Sequence, residues 1–582
     1  MIWKTHKFHK KITETETGVI HKKWNGRIKV ALVYPNTYHV GMSNLGFQAV
    51  YELINAFEHI VCERSFLPNE GDSGITERIT TMESGSPISV FDIIAFSVSY
   101  ENDYPNLLTI FEKAKLPLRS TDRGIPHPLI IAGGVAFFLN PEPLAPFIDC
   151  FLIGEAEAIL PQFFDTISHD LLAQDRRSCL RTLARDAPGI YVPSLYSTAY
   201  NSDGTLGTFE PMSDVSDKVE RQYVKDLSQI PTCSPIITPH TIFDNTFLME
   251  VSRGCPHGCR FCATGFVYRP PRFRPFSILK ECMERGSSKT DKIGLVGAAI
   301  SDLPDLNKIC GRELEKEARI SFSSLRANAL TTELLSTLKK SKTKTATIAP
   351  DAGSERMRNV INKGISETDI LDATEQIVAA DIPNIKLYFM VGLPTETMDD
   401  VEAIVTLCKK IKHQFLKSSR AKKRMGEITI SLNSFVPKPF TPFQWVKMDE
   451  VRLLKEKIKK IKNGLKRVAN VRVHADIPRW AYIQALLSRG DRKVAQILSL
   501  VNKNRGNWPK TFKFSPINPD FYVLRERSLD ELLPWDFIDH GISKSFLKTE
   551  YKRALQGKSS PPCPMESCSI CGVCKEKIEN ET

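Results

Sequence analysis

Short apolar runs alternate with helical stretches throughout residues 28–165. The runs that predict buried strands are residues 27–34 (RIKVALVY), 92–99 (DIIAFSVS), 129–132 (LIIA) and 150–153 (CFLI). Buried strands that alternate with helices indicate a doubly wound parallel sheet. Such sheets bind ligands at the carboxyl ends of their strands. Here those ends are residues 36–46, 100–104, 133–134 and 154–157.

A second series of strands and helices covers residues 245–445. Its predicted strands are residues 246–251, 292–296, 320–323, 345–349, 385–391 and 428–432. Ser366 and Asp369 have the spacing of a capping box, which predicts the start of a helix. Six strands are too few for a closed eight-fold barrel, so the pattern favours an open, partial (βα)6 barrel.

The remaining sequence divides into three less regular parts. Residues 1–27 form an N-terminal lead, residues 166–244 a connecting segment, and residues 446–582 a C-terminal region that begins with a basic helix. The predicted fold class is therefore α/β. It comprises an N-terminal doubly wound parallel sheet, a central partial barrel, and a mostly helical or irregular C-terminal region with a cysteine-rich tail.

Composition and charge are those of a globular protein outside membranes. The 582 residues are 42% hydrophobic and 25% charged, and no apolar run reaches the roughly 18 residues that cross a bilayer. The basic N-terminus lacks the apolar stretch of a secretory signal, so we expect a cytoplasmic protein. The net charge is +12, partly from residues 409–424 and 455–467. These runs are typical of solvated helix faces, with contact to RNA phosphates as the alternative.

The 14 cysteines fall into two groups. Seven are scattered among apolar neighbours and are interpreted as small buried hydrophobic residues: Cys62, Cys150, Cys179, Cys233, Cys282, Cys310 and Cys408. The other seven lie in two tight clusters, which in a reducing cytosol indicate metal binding or catalysis rather than disulfides.

The central cluster reads CPHGCRFC, residues 255–262, with Cys255, Cys259 and Cys262 in C-x3-C-x2-C spacing. Thiolates are soft ligands suited to iron–sulfur clusters, and three of them would leave one iron of a cubane open to a small molecule. The alternative is zinc with His257 as fourth ligand. That arrangement would strain the loop, because His257 lies between the first two cysteines.

This motif resembles the C-x3-C-x-aromatic-C signature of the radical S-adenosylmethionine (SAM) superfamily, with Phe261 at the aromatic position. The resemblance implies a [4Fe–4S] cluster whose open iron binds SAM. It also implies one-electron cleavage of SAM to methionine and a 5′-deoxyadenosyl radical, which abstracts a hydrogen atom. A flavodoxin- or ferredoxin-type donor would supply the electron.

Later segments of the barrel supply candidate contacts to SAM and substrate. Asp351 or Ser354 could bind ribose hydroxyls, residues 392–396 (Gly392 to Glu396) could approach the adenine, and Arg326 could pair with a carboxylate. The alternative for each is ordinary loop chemistry, since Ser354 could simply cap a helix.

The whole chain also resembles an uncharacterised radical SAM family with a cobalamin-binding-like N-terminal domain and a C-terminal CGVC tail. The residues that carry this resemblance are 35–46 (PNTYHVGMSNLG), 97–106 (SVSYENDYPN), 131–134 (IAGG), 153–157 (IGEAE), 323–328 (SSLRAN), 435–445 (FVPKPFTPFQW), 488–494 (SRGDRKV) and 571–574 (CGVC). Many cobalamin domains use a D-x-H-x-x-G loop after the first strand. Residues 36–41 have His39 but lack the Asp and the Gly spacing. Cobalamin binding and a Rossmann-like domain kept for substrate binding or packing both remain open.

The second cluster lies in the tail, where residues 563–574 read CPMESCSICGVC. Cys563, Cys568, Cys571 and Cys574 have C-x4-C-x2-C-x2-C spacing. A zinc ribbon normally separates its two cysteine pairs by a dozen or more residues. The compact spacing therefore favours an auxiliary iron–sulfur cluster over zinc.

Three functional hypotheses follow. The first is a radical SAM enzyme of unassigned substrate, with cobalamin-assisted methyl transfer as one form. The second is an RNA-modifying radical SAM enzyme of the methylthiotransferase type, suggested by the positive charge and the auxiliary cluster. The third is a nucleic-acid-binding or assembly protein with a zinc tail and a redox-sensing cluster.

Overall fold

The computed structural model describes residues 11–68, 78–315, 319–322, 325–419, 426–565 and 568–574. The N-terminal part contains a six-stranded sheet whose first five strands are parallel and whose last is antiparallel. In spatial order the strands are Ile60–Leu67, Ile28–Thr37, Ile93–Ser97, Leu129–Gly133, Cys150–Leu152 and Ile190–Tyr191. The predicted doubly wound parallel sheet is confirmed.

Two strands of this sheet were missed in the sequence. Strand Ile60–Leu67 is almost wholly buried but contains Arg64, whose side chain pairs with Glu16 and Glu83 at 2.7 Å each. A buried charge is stable only when it is paired, and here it interrupts the apolar run by which a strand is recognised. Strand Ile190–Tyr191 is too short to show a pattern.

Helices cover both faces of the N-terminal sheet. They are Tyr38–Gly41, Leu45–Ala56, Tyr104–Ala114, Val135–Leu139, Ala156–Thr166, His169–Leu172 and Arg176–Asp186. The predicted connecting segment therefore begins with helices of this part. It continues with an antiparallel hairpin, Tyr196–Tyr200 with Leu206–Pro211.

The central part is an open barrel of parallel strands in two hydrogen-bonded groups. The strands are Phe247–Glu250, Lys292–Val296 and Arg319–Phe322, then Thr345–Asp351, Asn384–Val391, Ile428–Ser434 and Val471–Ala475. A parallel bridge between Leu325 and Ile348 links the groups. Within the described ranges the two outer strands do not pair, so the predicted partial barrel is confirmed. Its seventh strand, Val471–Ala475, lies in the region expected to be helical or irregular.

The barrel helices lie outside the strands. They are Thr264–Val267, Phe276–Ser287, Leu306–Glu315, Thr332–Lys340, Glu355–Val360, Glu367–Ala379, Met398–Ser419 and Val451–Leu465. The predicted capping box is confirmed: Ser366 Oγ accepts from the N–H of Asp369 at 3.0 Å, and Asp369 Oδ2 accepts from the N–H of Ser366 at 2.7 Å.

The C-terminal region returns to both preceding parts. Its helices are Pro478–Arg489, Val494–Lys503, Trp508–Phe514, Asp520–Val523 and Lys544–Leu555. A short strand, Ile538–Asp539, pairs in parallel with Val219–Glu220, and buried His540 Nε2 lies 2.8 Å from the carbonyl oxygen of Phe138. Over the ranges given above, no helix is long and apolar enough to span a membrane.

Candidate active site

The loop with the central cysteines begins where the first barrel strand ends. Residues Ser252–Arg253 pair antiparallel with Arg272–Phe273, which fixes the base of the loop. Gly254 follows with a φ of +83°, and a Cβ there would lie 2.7 Å from the carbonyl oxygen of Tyr268. Only glycine fits this position without strain, so the chain can turn sharply just before the first cysteine.

The three predicted thiols share this loop. Cys259 is buried, whereas Cys255 and Cys262 are half-buried. Burial raises the pKa of Cys255 to about 12. A hydrogen bond from the His257 N–H lowers this pKa, whereas the negative charges of the other two thiolates raise it. Across the described residues, however, no three Cys, His, Asp or Glu side chains are already gathered as a metal-binding group. His257, the alternative zinc ligand, pairs through Nε2 with Asp302 at 2.8 Å.

Positive charge lies beside the buried thiol. Burial raises the pKa of Cys259, and the nearby cations of Lys363 and Arg326 act in the opposite direction. Lys363 Nζ pairs with Asp351 at 2.5 Å, while Arg326 donates to the carbonyl oxygens of Lys363 and Gly364 at 2.8 and 2.9 Å. The structure thus brings Asp351 and Arg326 together near the cysteine loop. Lys363 was missed, since nothing in its local sequence marks it.

The other predicted SAM contacts make local structural bonds. Ser354 accepts from the N–H of Met357 at 3.1 Å as a helix cap and donates to Asp400 at 2.7 Å. Glu396 accepts from the N–H of Gly392 at 2.7 Å and from Lys457 at 2.8 Å. These contacts match the loop and cap alternatives. Phe261 is half-buried and packs against the core.

A buried ion network ties the cysteine loop to the N-terminal sheet. Arg253, next to Gly254, pairs with Glu155 at 2.8 Å, with Glu157 at 2.9 Å and with Glu250 at 2.7 Å. Arg272 also pairs with Glu155 at 2.6 Å. Burial alone would raise the pKa of Glu155, but Arg253 and Arg272 outweigh it and lower that pKa. The predicted strand-end segment 154–157 therefore positions the start of the loop.

A cavity of about 850 Å³ lies between the carboxyl ends of the N-terminal strands and the barrel. Its walls include Gly133, Gly134 and Gly154 on one side and Val296, Gly297 and Ala298 on the other, with Ser252 and Gly254 at the base of the cysteine loop. Ser252 Oγ is buried and, among the described residues, lacks a hydrogen-bond partner. A buried polar atom of this kind is suited to contact with a bound molecule.

The loop after the first strand does not place its histidine at the cavity, as a cobalamin loop with a histidine ligand would. His39 is exposed, and its Nδ1 lies 3.1 Å from the carbonyl oxygen of His240 rather than among the cavity walls. Asn44 and Gly46, farther along the same segment, do line the cavity. His39 is therefore not positioned to bind the cobalt of a cofactor in this cavity.

The tail places its first cysteine, Cys563, against the central loop. Cys571 is buried, and Cys563, Cys568 and Cys574 are half-buried. The N–H of Cys563 donates to the carbonyl oxygen of Pro256 at 2.7 Å. Residues 566 and 567 of the tail, 323 and 324 of the SSLRAN stretch, and 420–424 of the first basic run lie outside the described residues.

Comparison with known families identifies the class. The radical SAM superfamily model matches residues 249–408, and a model described as "Radical SAM proteins, N-terminal" matches residues 46–193. The chain belongs to the radical SAM superfamily, so the prediction of a radical SAM enzyme is confirmed. It belongs more particularly to the family of "Uncharacterized protein MJ0966" from Methanocaldococcus jannaschii. The two are 32% identical over 524 residues, which is 89% of this chain and 98% of that protein.

More distant similarities cover parts of the chain. A Pyrococcus horikoshii protein described as "Uncharacterized methyltransferase PH0819" is 23% identical over a stretch that covers 48% of this chain and 58% of that protein. A Clostridium tetani tRNA-2-methylthio-N(6)-dimethylallyladenosine synthase is 25% identical over a stretch that covers 35% of this chain and 48% of that protein. Among solved structures, TsrM from Kitasatospora setae has a TM-score of 0.49 at 10% identity, covering 84% of this chain and 99% of that one.

Proposed function

We propose that Cys255, Cys259 and Cys262 hold a [4Fe–4S] cluster with which this enzyme cleaves SAM reductively. The observation that carries the proposal is the position of the three thiols. They lie on one glycine-led loop at the mouth of the barrel, beside the cavity and within the stretch that matches the superfamily. Thiolates are the preferred protein ligands of such clusters. The bound cluster would supply one electron to the carbon–sulfur bond of SAM.

Two cations near the loop partly offset the cost of charging its buried thiol, whose pKa is raised by burial. Lys363 and Arg326 place positive charge near Cys259, which stabilises a loop that carries several thiolates. The Arg253 network holds the start of the loop against Glu155 and Glu157. The Arg253 network fixes the start of the loop before any cofactor binds, which limits the loss of conformational freedom on binding.

We assign the cavity to the substrate and to a second, large cofactor, for which cobalamin is the candidate. It lies at the carboxyl ends of a doubly wound sheet, where such folds bind ligands. Its walls include several glycines and alanines, which allow the face of a flat ring to approach closely, and it reaches the base of the cysteine loop. The similarity to a protein described as a methyltransferase supports methyl transfer as the reaction.

Ala298→Trp tests this assignment, because Ala298 is exposed and lines the cavity. Ala469→Trp is the matched control, since Ala469 is also exposed but lies outside the cavity wall. After anaerobic reconstitution with hydroxocobalamin and desalting, we expect the wild-type protein and the control to retain the cobalamin absorbance and Ala298→Trp to lose it. Equal retention in both variants, or none in the wild type, would contradict the assignment.

The cluster assignment has a separate test that needs no substrate. The reduced wild-type protein should show a cluster signal by electron paramagnetic resonance (EPR), and SAM should shift that signal. The variant Cys255→Ala/Cys259→Ala/Cys262→Ala should lose the SAM-sensitive signal, whereas Cys408→Ala, a buried cysteine elsewhere, should keep it. A SAM-sensitive signal in the triple variant would overturn the assignment.

RNA modification is a second candidate, supported by a basic face on helix Val451–Leu465 and the turn after it. Lys455, Lys459, Lys462 and Lys466 are all exposed there. Exposed lysines bind phosphates with an affinity that falls as salt rises. If RNA is the substrate, RNA binding by the wild-type protein should weaken with salt, and changing these four residues to glutamate should abolish it. Equal binding by both proteins would argue against this candidate.

A further inference from the structure

The C-terminal tail is anchored on the loop that carries the central cysteines. Arg260, which lies between Cys259 and Cys262, is fully buried. Its guanidinium donates to the carbonyl oxygen of Lys558 at 2.8 Å and to Ser560 Oγ at 3.1 Å, and it pairs with Glu550 at 3.1 Å. A buried arginine with these partners fixes the path of the tail relative to the loop.

Three further hydrogen bonds bring the tail up to the first cysteine. The N–H of Ser560 donates to Asn362 Oδ1 at 2.8 Å, and Asn362 Nδ2 donates to the carbonyl oxygen of Gly258 at 3.1 Å. The N–H of Cys563 then donates to the carbonyl oxygen of Pro256 at 2.7 Å. Pro256 is bonded to Cys255, so the first cysteine of the tail lies one hydrogen bond from the central loop.

The other end of the tail is fixed as well. The N–H of Ser543 donates to the carbonyl oxygen of Cys571 at 2.8 Å, and Cys571 is only 4% exposed. Gly572 has a φ of +99°, and a Cβ there would lie 3.0 Å from the carbonyl oxygen of Gly541. Cys563 and Cys571 are therefore each held against the folded body.

From this placement we propose that Cys563, Cys568, Cys571 and Cys574 bind a second iron–sulfur centre, which passes the electron to the central cluster. This inference rests on the function proposed above for the central loop. Four thiols in so short a segment have the soft-ligand chemistry of such a centre. The thiols are not yet gathered into a ligand set. Metal binding is coupled to local folding, so the metal itself completes sites of this kind.

The electron balance of the relay is simple. A low-potential one-electron donor of the flavodoxin type is oxidised and reduces the tail centre by one electron, which then reduces the central cluster. No bond forms or breaks at the tail. The path runs through the covalent bonds of Cys563 and the single hydrogen bond to Pro256, next to Cys255.

Metal analysis of two variants tests the site. Cys255→Ala/Cys259→Ala/Cys262→Ala should retain iron and sulfide in the tail, with little zinc. Cys563→Ser/Cys568→Ser/Cys571→Ser/Cys574→Ser should retain about four irons in the central loop. The first of these is called the loop variant and the second the tail variant. Zinc, or no metal, in the loop variant would overturn the tail assignment. Loss of all iron from the loop variant together with a complete central cluster in the tail variant would overturn the tail assignment alone. A tail variant that folds like the wild type, by circular dichroism, but lacks iron would contradict the central assignment instead.

A reduction experiment tests the relay. With flavodoxin hydroquinone as donor and EPR of freeze-quenched samples as readout, the tail variant should lose the fast phase of central-cluster reduction. With dithionite, a small donor that needs no docking path, the tail variant and the wild type should behave alike. Equal rates with flavodoxin would overturn the relay. Should the tail variant not fold, flavodoxin reduction of the tail centre in the loop variant decides the question, since its absence would equally overturn the relay.

Discussion

Arg253→Met is the most informative test of how the N-terminal sheet supports the cysteine loop. The substitution keeps an unbranched side chain but removes the guanidinium that pairs with Glu155, Glu157 and Glu250. Arg253 is 9% exposed, and the side chains of Glu157 and Glu250 are 14% and 18% exposed. Solvent therefore provides little compensation for the lost charge.

The size of the stability loss depends on which of the three carboxylates keep a positively charged partner. Arg272 still pairs with Glu155 at 2.6 Å, and Arg274 still pairs with Glu250 at 2.5 Å. Glu157 alone loses its guanidinium. Removing one partner of a buried ion pair costs about 3–5 kcal/mol, and we expect the lower end because two of the three carboxylates keep a cation.

Urea denaturation of the metal-free chain measures this cost as a fall in the free energy of unfolding. The control is Arg185→Met, because Arg185 pairs with Asp186 at the surface with 69% and 41% of the side chains exposed. An exposed pair contributes little to stability, because water solvates both charges whether or not they are paired. The double variant Arg253→Met/Glu157→Gln should recover part of the loss, since it removes the orphaned charge. A loss no larger than that of the control, or no recovery in the double variant, would show that Arg253 does not compensate a buried charge on Glu157.

The same network predicts the pH dependence of stability. Burial raises the pKa of Glu155 and Glu157, but Arg253 outweighs burial, so both folded-state pKa values lie below the ordinary value. A carboxyl group of this kind stabilises the fold above its unfolded pKa of about 4.3 and loses that contribution as the pH falls through the folded pKa. The wild type should therefore lose stability below about pH 4.5, and Arg253→Met should lose less over the same range.

Three further predictions concern other buried groups. Burial raises the pKa of Asp103 to about 6, so Asp103→Asn should stabilise the protein above pH 6 by up to about 3 kcal/mol and have little effect near pH 4, as measured by urea denaturation across pH. Gly134 has a φ of +115° and a Cβ there would lie 2.3 Å from the carbonyl oxygen of Val98, so Gly134→Ala should lower stability by about 1–3 kcal/mol or more in thermal unfolding. Lys457→Met leaves buried Glu396 without its cation and should cost about 3–5 kcal/mol in urea denaturation, with partial recovery on adding Glu396→Gln; an unchanged midpoint would refute this.

The apolar strands and the cysteine loop could be predicted because their signals are local. The run in residues 129–132 lies within strand Leu129–Gly133, and the spacing of Cys255, Cys259 and Cys262 is visible in eight residues. Strand Ile60–Leu67 could not be recognised because charged Arg64 interrupts its apolar run. Glu16, which pairs with the buried Arg64 side chain, lies far away in the sequence.

The supports of the site could not be predicted for the same reason. Arg253 meets Glu155 across 98 positions and Arg260 meets Glu550 across 290, so only the folded chain brings these charges together. In the sequence, Ser354 could be either a ribose contact or a helix cap; in the structure it accepts the capping bond from the N–H of Met357 and also donates to Asp400. A motif identifies the loop, whereas long-range contacts determine how the loop is held.

The formation of 5′-deoxyadenosine tests most directly whether the central cysteines hold a cluster that cleaves SAM. The anaerobically reconstituted protein is incubated with SAM and dithionite, and the product is quantified by liquid chromatography. We expect product from the wild type and from Cys408→Ala, and none from Cys255→Ala/Cys259→Ala/Cys262→Ala. If the wild-type protein forms no product while its iron content and EPR signal show an intact central cluster, reductive cleavage of SAM by this cluster is contradicted.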